Sequence, residues 1–310
     1  MIFKPAPKPS GQKSPHMSVL AAILCLSLLL SLVISAVSCG TNFFYQNSDK
    51  YTVGGASLSH PISAIDIEWI SGHVNVKYSN DGENEVVFSE SYDKKLDDDL
   101  LLHYWLDGTT LRIKFAASGK ANFSSLNKTL TVTLPAEMPL THLNVVATSA
   151  DVNVSNVKAE RISASSVSGN ITASGIKTTE SATFSSTSGK IQGSIASACY
   201  KLSLSSVSGS IDFETDARVR ELSAENTSGK IRLANLNPAK NAAIESVSGE
   251  IELVFLDNAQ FEVSFDSVSG DFYSEFAMIQ SGNKHVCGSP TASFKVETAS
   301  GDINIKKSPT

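Results

Sequence analysis

Runs of lysine and arginine are missing from this 310-residue chain, and that absence removes one class of function at once. Charged residues make up only 18% of the sequence and the formal net charge is −6, with no stretch that concentrates basic side chains. A nucleic-acid surface needs clustered Lys and Arg to neutralise phosphates, so no nucleic-acid partner is expected. Familiar catalytic signatures are missing as well: there is no Gly-x-Ser-x-Gly elbow, no His-Glu-x-x-His, no Cys-x-x-Cys and no phosphate-binding Gly-rich loop. The six histidines, His16, His60, His73, His103, His142 and His285, are scattered without metal-ligand spacing. Neither an enzyme nor a resident cofactor or metal is expected. A polysaccharide-acting enzyme is the weakest reading, because such enzymes need carboxylates roughly 5–9 Å apart, usually beside aromatic sugar platforms. Outward aromatics are few in this chain, Tyr200 and Tyr273 among them.

Long apolar runs are also rare; there is one, from Met17 to Val37. Lys4, Lys8 and Lys13 precede it, and no Lys or Arg follows before Lys50. This asymmetry places residues 1–16 in the cytoplasm and the bulk of the chain outside it, on the cell surface. Residues 17–38 read either as a transmembrane signal anchor or as a lipoprotein signal peptide, since Ala36-Val37-Ser38-Cys39-Gly40 resembles a loose acylation site with Cys39 as the lipid attachment point. Either route makes the membrane a partner of the chain. Residues 39–60 read as a tether without periodicity.

What the sequence does have is a repeat. Gly169, Gly189, Gly209, Gly229 and Gly249 are each 20 residues apart, in units such as Leu202-Ser-Leu-Ser-Ser-Val-Ser-Gly-Ser-Ile211; longer steps lead to Gly270 and Gly301. Apolar and polar residues alternate on both sides of each glycine, a period of two that signals strand. Twenty residues are too few for two strands and a helical crossover, which takes roughly 30 or more. The fold class predicted is all-β: a parallel β-solenoid over residues 146–310, with about 20 residues per rung and a β-rich N-terminal part over 61–145 as an irregular cap. About eight rungs at roughly 4.8 Å spacing would form a rod about 38 Å long. The glycine suits a corner that needs positive φ, and the column of Ser166, Ser186, Ser206, Asn226, Ser246, Ser267 and Thr298 points inward, where it can satisfy corner backbone groups. The insert from Tyr273 to Thr291 is expected to cover an exposed end of the core.

Within the cap, Leu102 to Phe115 reads as a hairpin with Asp107-Gly108 as the turn, and Leu130 to Leu134 as a strand stopped by Pro135. Cysteine is scarce, at four residues, with Cys25 inside the apolar run. In the stack, Cys199 and Cys287 lie four rungs or roughly 19 Å apart, beyond the roughly 7 Å a disulfide spans, and unbridged thiols are expected.

Two outward columns flank the Ser-Gly corner and turn acidic toward the C-terminus. One carries Glu225, Glu245, Asp266 and Glu297; the other carries Glu250, Asp271 and Asp302, after Lys190 and Lys230 on earlier rungs. Stacked carboxylates about 5 Å apart repel unless a cation or basic partner neutralises them. These seven residues are the candidate edge for a cation such as Ca²⁺ or for a cationic ligand. The competing reading is that they keep the end rungs from pairing with other chains.

Ile65-Asp-Ile67 with Ser71-Gly72-His-Val-Asn-Val76, Val132-Thr-Leu-Pro135 and the serial Ser-Gly-x-Ile units together resemble the bacterial putative-adhesin domain family, a family of unknown function, over roughly residues 60–305. The resemblance implies a solenoid-like domain on the cell surface, often behind a membrane anchor, with no established catalytic residues. One departure is Ala150, which stands where the family has glycine. The function expected is a non-enzymatic, membrane-tethered binding or adhesin-like module, with an envelope polymer or another envelope protein as partner. The alternative is an envelope-stress or regulatory component acting through a membrane partner.

Overall fold

The computed structural model describes residues 43–79, 84–120, 126–215, 218–235 and 239–308. Residues 17–38 and Cys39 lie outside the described residues. Among the described residues, no helix is long and apolar enough to cross a membrane.

The chain is a parallel β-solenoid of two facing sheets joined at the Ser-Gly corners. In each rung a leading strand runs into the corner and a trailing strand leaves it. Leu202 and Leu204 point into the core between the sheets while Ser203 and Ser205 stay part exposed, and this alternation recurs from rung to rung. Burying each such Leu, Ile or Phe contributes about 1.5–3 kcal/mol relative to leaving it in water.

The rungs do not stack in sequence order. From the N-terminal end, the first rung is Thr110–Lys114 with Lys128–Leu134, and the second is Ala64–Tyr78. Leu140–Ser155 forms the third. One 19-residue step and then steps of 20 carry the chain through five more rungs, to Asn241–Ser248 with Ile251–Phe255 as the eighth. The ninth rung is the C-terminal pair Ser293–Ser300 and Ile303–Lys307; the tenth is Phe261–Ser269 with Phe272–Ser274, which comes earlier in the chain. At each end, then, one terminal stretch of the repeat domain is held between two other rungs.

This arrangement corrects the expected cap. Two of its pieces, Ala64–Tyr78 and the first rung, are themselves part of the parallel stack. The expected boundary at residue 145 falls inside Leu140–Ser155. Residues read as a tether fold back onto this end: Phe43 bridges Lys120, Thr52–Val53 pairs with His103–Asp107, and Ala56–Leu58 pairs with Val86–Ser91. Their aromatics explain the contact, because Tyr45 packs 4.8 Å from Tyr51 and Tyr51 packs 5.8 Å from Trp105. The hairpin at Asp107-Gly108 forms as the turn chemistry implies, with Gly108 at φ +62°.

The insert covers the other end. Lys284–Cys287 pairs antiparallel with the tenth rung, and Phe276 packs edge-on to Phe261 at 5.3 Å. Cys199 and Cys287 are free thiols.

At most corners the glycine is needed for proximity rather than for positive φ. A Cβ on Gly209 would stand 2.0 Å from the Gly189 carbonyl oxygen, and one on Gly189 would stand 2.0 Å from that of Gly169. Each corner sits on the backbone of the corner before it. Ala150 belongs to a wider corner: Ala64–Tyr78 and Leu140–Ser155 run through it as unbroken strands, with Gly72 opposite Ala150. The inward hydroxyls behave as expected in the middle rungs, where Ser166, Ser186 and Ser206 accept the N–H of Gly169, Gly189 and Gly209 at 2.8–3.0 Å. Toward the C-terminus the pattern lapses, and the hydroxyl oxygens of Ser246, Ser267 and Thr298 are buried without a hydrogen-bond partner.

Candidate binding surface

Stacking brings the first acidic column together. Glu225 pairs in register with Glu245, Glu245 with Glu297, and Glu297 with Asp266, so four carboxylates line one margin of the leading sheet over the seventh to tenth rungs. Neighbouring strands are about 4.8 Å apart, close enough for like charges to repel. Burial, followed by the charges of Glu225 and Glu297, pushes the Glu245 carboxyl above its ordinary value. Lys295 enters this row. Lys295 Nζ lies 2.7 Å from Glu297 Oε1 and is held protonated chiefly by that contact. Glu297 Oε2 is buried with no donor, and Ser223 Oγ donates to Glu225 Oε1 at 3.2 Å.

The second acidic column is not a second ladder of bare charge. Glu250 lies 3.4 Å from Lys230 Nζ and accepts the Asn304 amide at 2.8 Å. Asp302 Oδ1 accepts the Asp271 backbone N–H at 3.0 Å, as Asp151 does from Asn170 and Asn170 from Lys190. In this column the short side chains cap the next rung's backbone. Lys230, on the seventh rung, reaches across to Glu250 and Glu252 on the eighth.

The outer face of the trailing sheet is charge-paired throughout its middle. Lys190 meets Asp212 at 3.3 Å, Asp212 meets Arg232 at 3.0 Å, and Arg232 meets Glu252 at 3.4 Å. Glu252 also accepts Lys230 at 2.6 Å and Lys306 at 2.9 Å. Burial alone would raise the Glu252 carboxyl, but the hydrogen bonds and charges of the two lysines outweigh it and hold that carboxyl low.

The carboxylates are strung along the rod and do not converge on a point. Among the described residues, no group of three or more His, Cys, Asp or Glu is arranged to hold a metal ion. The expected Ca²⁺ edge therefore has no ligand cage. Beside the ladder, the leading face carries a shallow groove of about 420 Å³ lined by Lys201, Glu221, Ser223, Asn241, Ala243 and Lys295.

Residues 62–306 match the family model described as Toastrack DUF4097. The chain belongs to the Toastrack DUF4097 family. No curated protein matches it. Among solved structures, it is similar to a "putative adhesin" from Bacteroides fragilis at 14% identity, over 84% of this chain and 97% of that one, with a TM-score of 0.48. A "putative adhesin" from Parabacteroides distasonis gives 13% identity over 84% and 97%, with a TM-score of 0.43. A "putative lipid binding protein" from the same organism gives 17% over 83% and 97%, with a TM-score of 0.39.

For this Toastrack chain, the sequence pattern locates the first ladder residue by residue but puts Asp266 before Glu297. It misses Lys295, whose position becomes part of the ladder only through the out-of-order ninth rung. The Asp212–Arg232–Glu252 row was missed too. Its signal is present in the alternating signs of residues 212, 232 and 252, which the 20-residue period aligns.

Proposed function

We propose that this domain is a non-enzymatic binding module on the cell surface. In this reading the segment ahead of residue 43 tethers it to the outer face of a membrane, through the apolar stretch or a lipid on Cys39. The contact edge is the ladder of Glu225, Glu245, Glu297 and Asp266, and the partner is an envelope polymer or envelope protein with a run of positive charges. One observation carries the proposal: carboxylates on four neighbouring strands stand in register, and Glu297 within that row keeps a buried oxygen without a donor. Guarding end strands is a poorer explanation of the ladder, because Glu225, Glu245 and Glu297 lie on strands already paired along both edges. An extended cationic partner suits a row of charges better than a single ion does.

The test is retention of the full-length protein, in detergent, on fractionated envelope material. Saturable binding that is lost when Glu225, Glu245, Asp266 and Glu297 are all changed to Ser supports the proposal. Binding that survives those changes, or no binding to any fraction, removes it.

A further inference from the structure

No run of basic residues exists in the sequence, but the stack builds a basic corner. It lies at the far margin of the leading sheet from the acidic ladder. Arg220 and Glu225 share one strand and are roughly 17 Å apart along it. Val219 pairs with Cys199, which sets Arg220 beside Tyr200 on the rung before; Glu221 pairs with Asn241, which sets Lys240 beside Arg220 on the rung after. Arg218 sits two residues before Arg220, just ahead of the strand Val219–Ser228. Tyr200, Arg218, Arg220 and Lys240 are all exposed, and with Thr291 they line a groove of about 570 Å³.

Among the described residues, none of Arg218, Arg220 and Lys240 forms an ion pair with a carboxylate. Two described carboxylates on these stacked strands are engaged elsewhere: Glu221 accepts the Tyr200 hydroxyl at 3.1 Å, and Glu180 holds Arg161 at 2.6 Å. Like charges on neighbouring strands destabilise a sheet, so placing Lys240 next to Arg220 has a cost that a bound anion would reverse. The Arg220 guanidinium lies 5.3 Å from the Tyr200 ring centre, yet Tyr200 stays 48% exposed. A groove of this size is within the roughly 300–1,000 Å³ typical of small-ligand sites.

We propose that this corner binds a glycan that carries anionic groups. The planar arginines match carboxylate, sulfate or phosphate groups in a two-point fashion, and Lys240 adds a point charge on the next rung. Tyr200 supplies an amphipathic ring on which the apolar face of a sugar can pack. Cations on adjacent rungs suit a chain lying along the rod axis. This inference rests on the reading of the domain as a binding module but uses the opposite edge, so each can fail alone.

The experiment measures equilibrium binding of the full-length protein in detergent to dextran sulfate, polygalacturonate, neutral dextran and polyphosphate. Both anionic glycans are expected to bind, and neutral dextran is not. Arg220→Gln and Lys240→Gln should each weaken binding about tenfold, the loss of one charge-assisted contact. Tyr200→Leu should weaken the glycans but not polyphosphate, while Lys284→Gln, on the terminal insert, leaves all of them unchanged. The two single Gln variants decide the matter should a variant lacking all three cations not fold. The proposal is overturned if neither anionic glycan binds, if neutral dextran binds as well as they do, or if the Gln variants bind undiminished. Loss of polyphosphate and glycan binding alike on Tyr200→Leu, or of neither, overturns the sugar-packing role and with it the choice of a glycan.

Discussion

Glu245 and Glu297 are 52 residues apart in the chain and stand opposite each other on adjacent parallel strands. Repulsion between them is one reason, after burial, that the Glu245 carboxyl is raised. A carboxyl raised in the folded state favours folding when protonated. Its contribution is full below the ordinary carboxylate pKa and is lost as pH rises through the raised one. Glu245→Gln should therefore raise the thermal midpoint at pH 7 by about 2 °C and leave it nearly unchanged near pH 4. Thermal unfolding of both proteins from pH 4 to 8 checks this, and a lower midpoint for the variant at pH 7 would contradict it.

Glu252, seven residues further along the chain, should behave in the opposite way. Its carboxyl is held low because Lys230 and Lys306 outweigh burial. Its stabilisation is present above the ordinary carboxylate pKa and disappears as pH falls through the lowered one. Replacing it with Gln should cost about 2 kcal/mol at pH 7, with a shrinking difference in acid. Chemical denaturation at two pH values measures that difference; a cost that stays constant with pH would sink the assignment.

Much of the architecture was legible because the alternation of apolar and polar residues has a physical cause that repeats every 20 residues. Ile171, Ile191, Ile211, Ile231 and Ile251 must all face one core, and a stack of parallel strands is the arrangement that lets them. The order of the last two rungs was not legible. Ile303 pairs as well against Ile251 as it does against Phe272, so the local pattern is silent about which rung is outermost. In the observed order Phe294, on the ninth rung, packs against Phe255 and Phe261 from the rungs on either side, and Phe276 joins them. The acidic ladder was visible as a column for the same reason the fold was. The basic corner was not, because its members are spread over three repeats.

The corner glycines divide by mechanism. Gly209→Ala places a methyl group 2.0 Å from the Gly189 oxygen and should destabilise the protein by about 3 kcal/mol. Gly108 has positive φ, but an added methyl group there would meet no atom within 4 Å, so Gly108→Ala should cost only about 1 kcal/mol. Equal costs for the two substitutions would contradict rung-to-rung contact as the reason for glycine at Gly209.

The N-terminal end depends on one buried cation. Lys128 is fully buried, with Nζ 2.7 Å from Glu90 Oε2 and 2.6 Å from the Leu100 carbonyl; burial pulls its pKa down and Glu90 opposes that. Lys128→Met should cost about 3–5 kcal/mol, because it strands the Glu90 charge. Adding Glu90→Gln should restore part of the loss, since Gln still accepts the Leu102 N–H that Glu90 holds at 2.6 Å. No recovery in the double variant would argue against an ion pair at this position.

Rung order underlies the ladder, and paired cysteines test it most directly. In a background with Cys199 and Cys287 changed to Ser, Glu245→Cys with Glu297→Cys should cross-link readily under mild oxidation. Glu245→Cys with Asp266→Cys should not, because the ninth rung separates those positions. Efficient cross-linking of the second pair and none of the first would mean that the rungs stack in chain order, and would contradict the account.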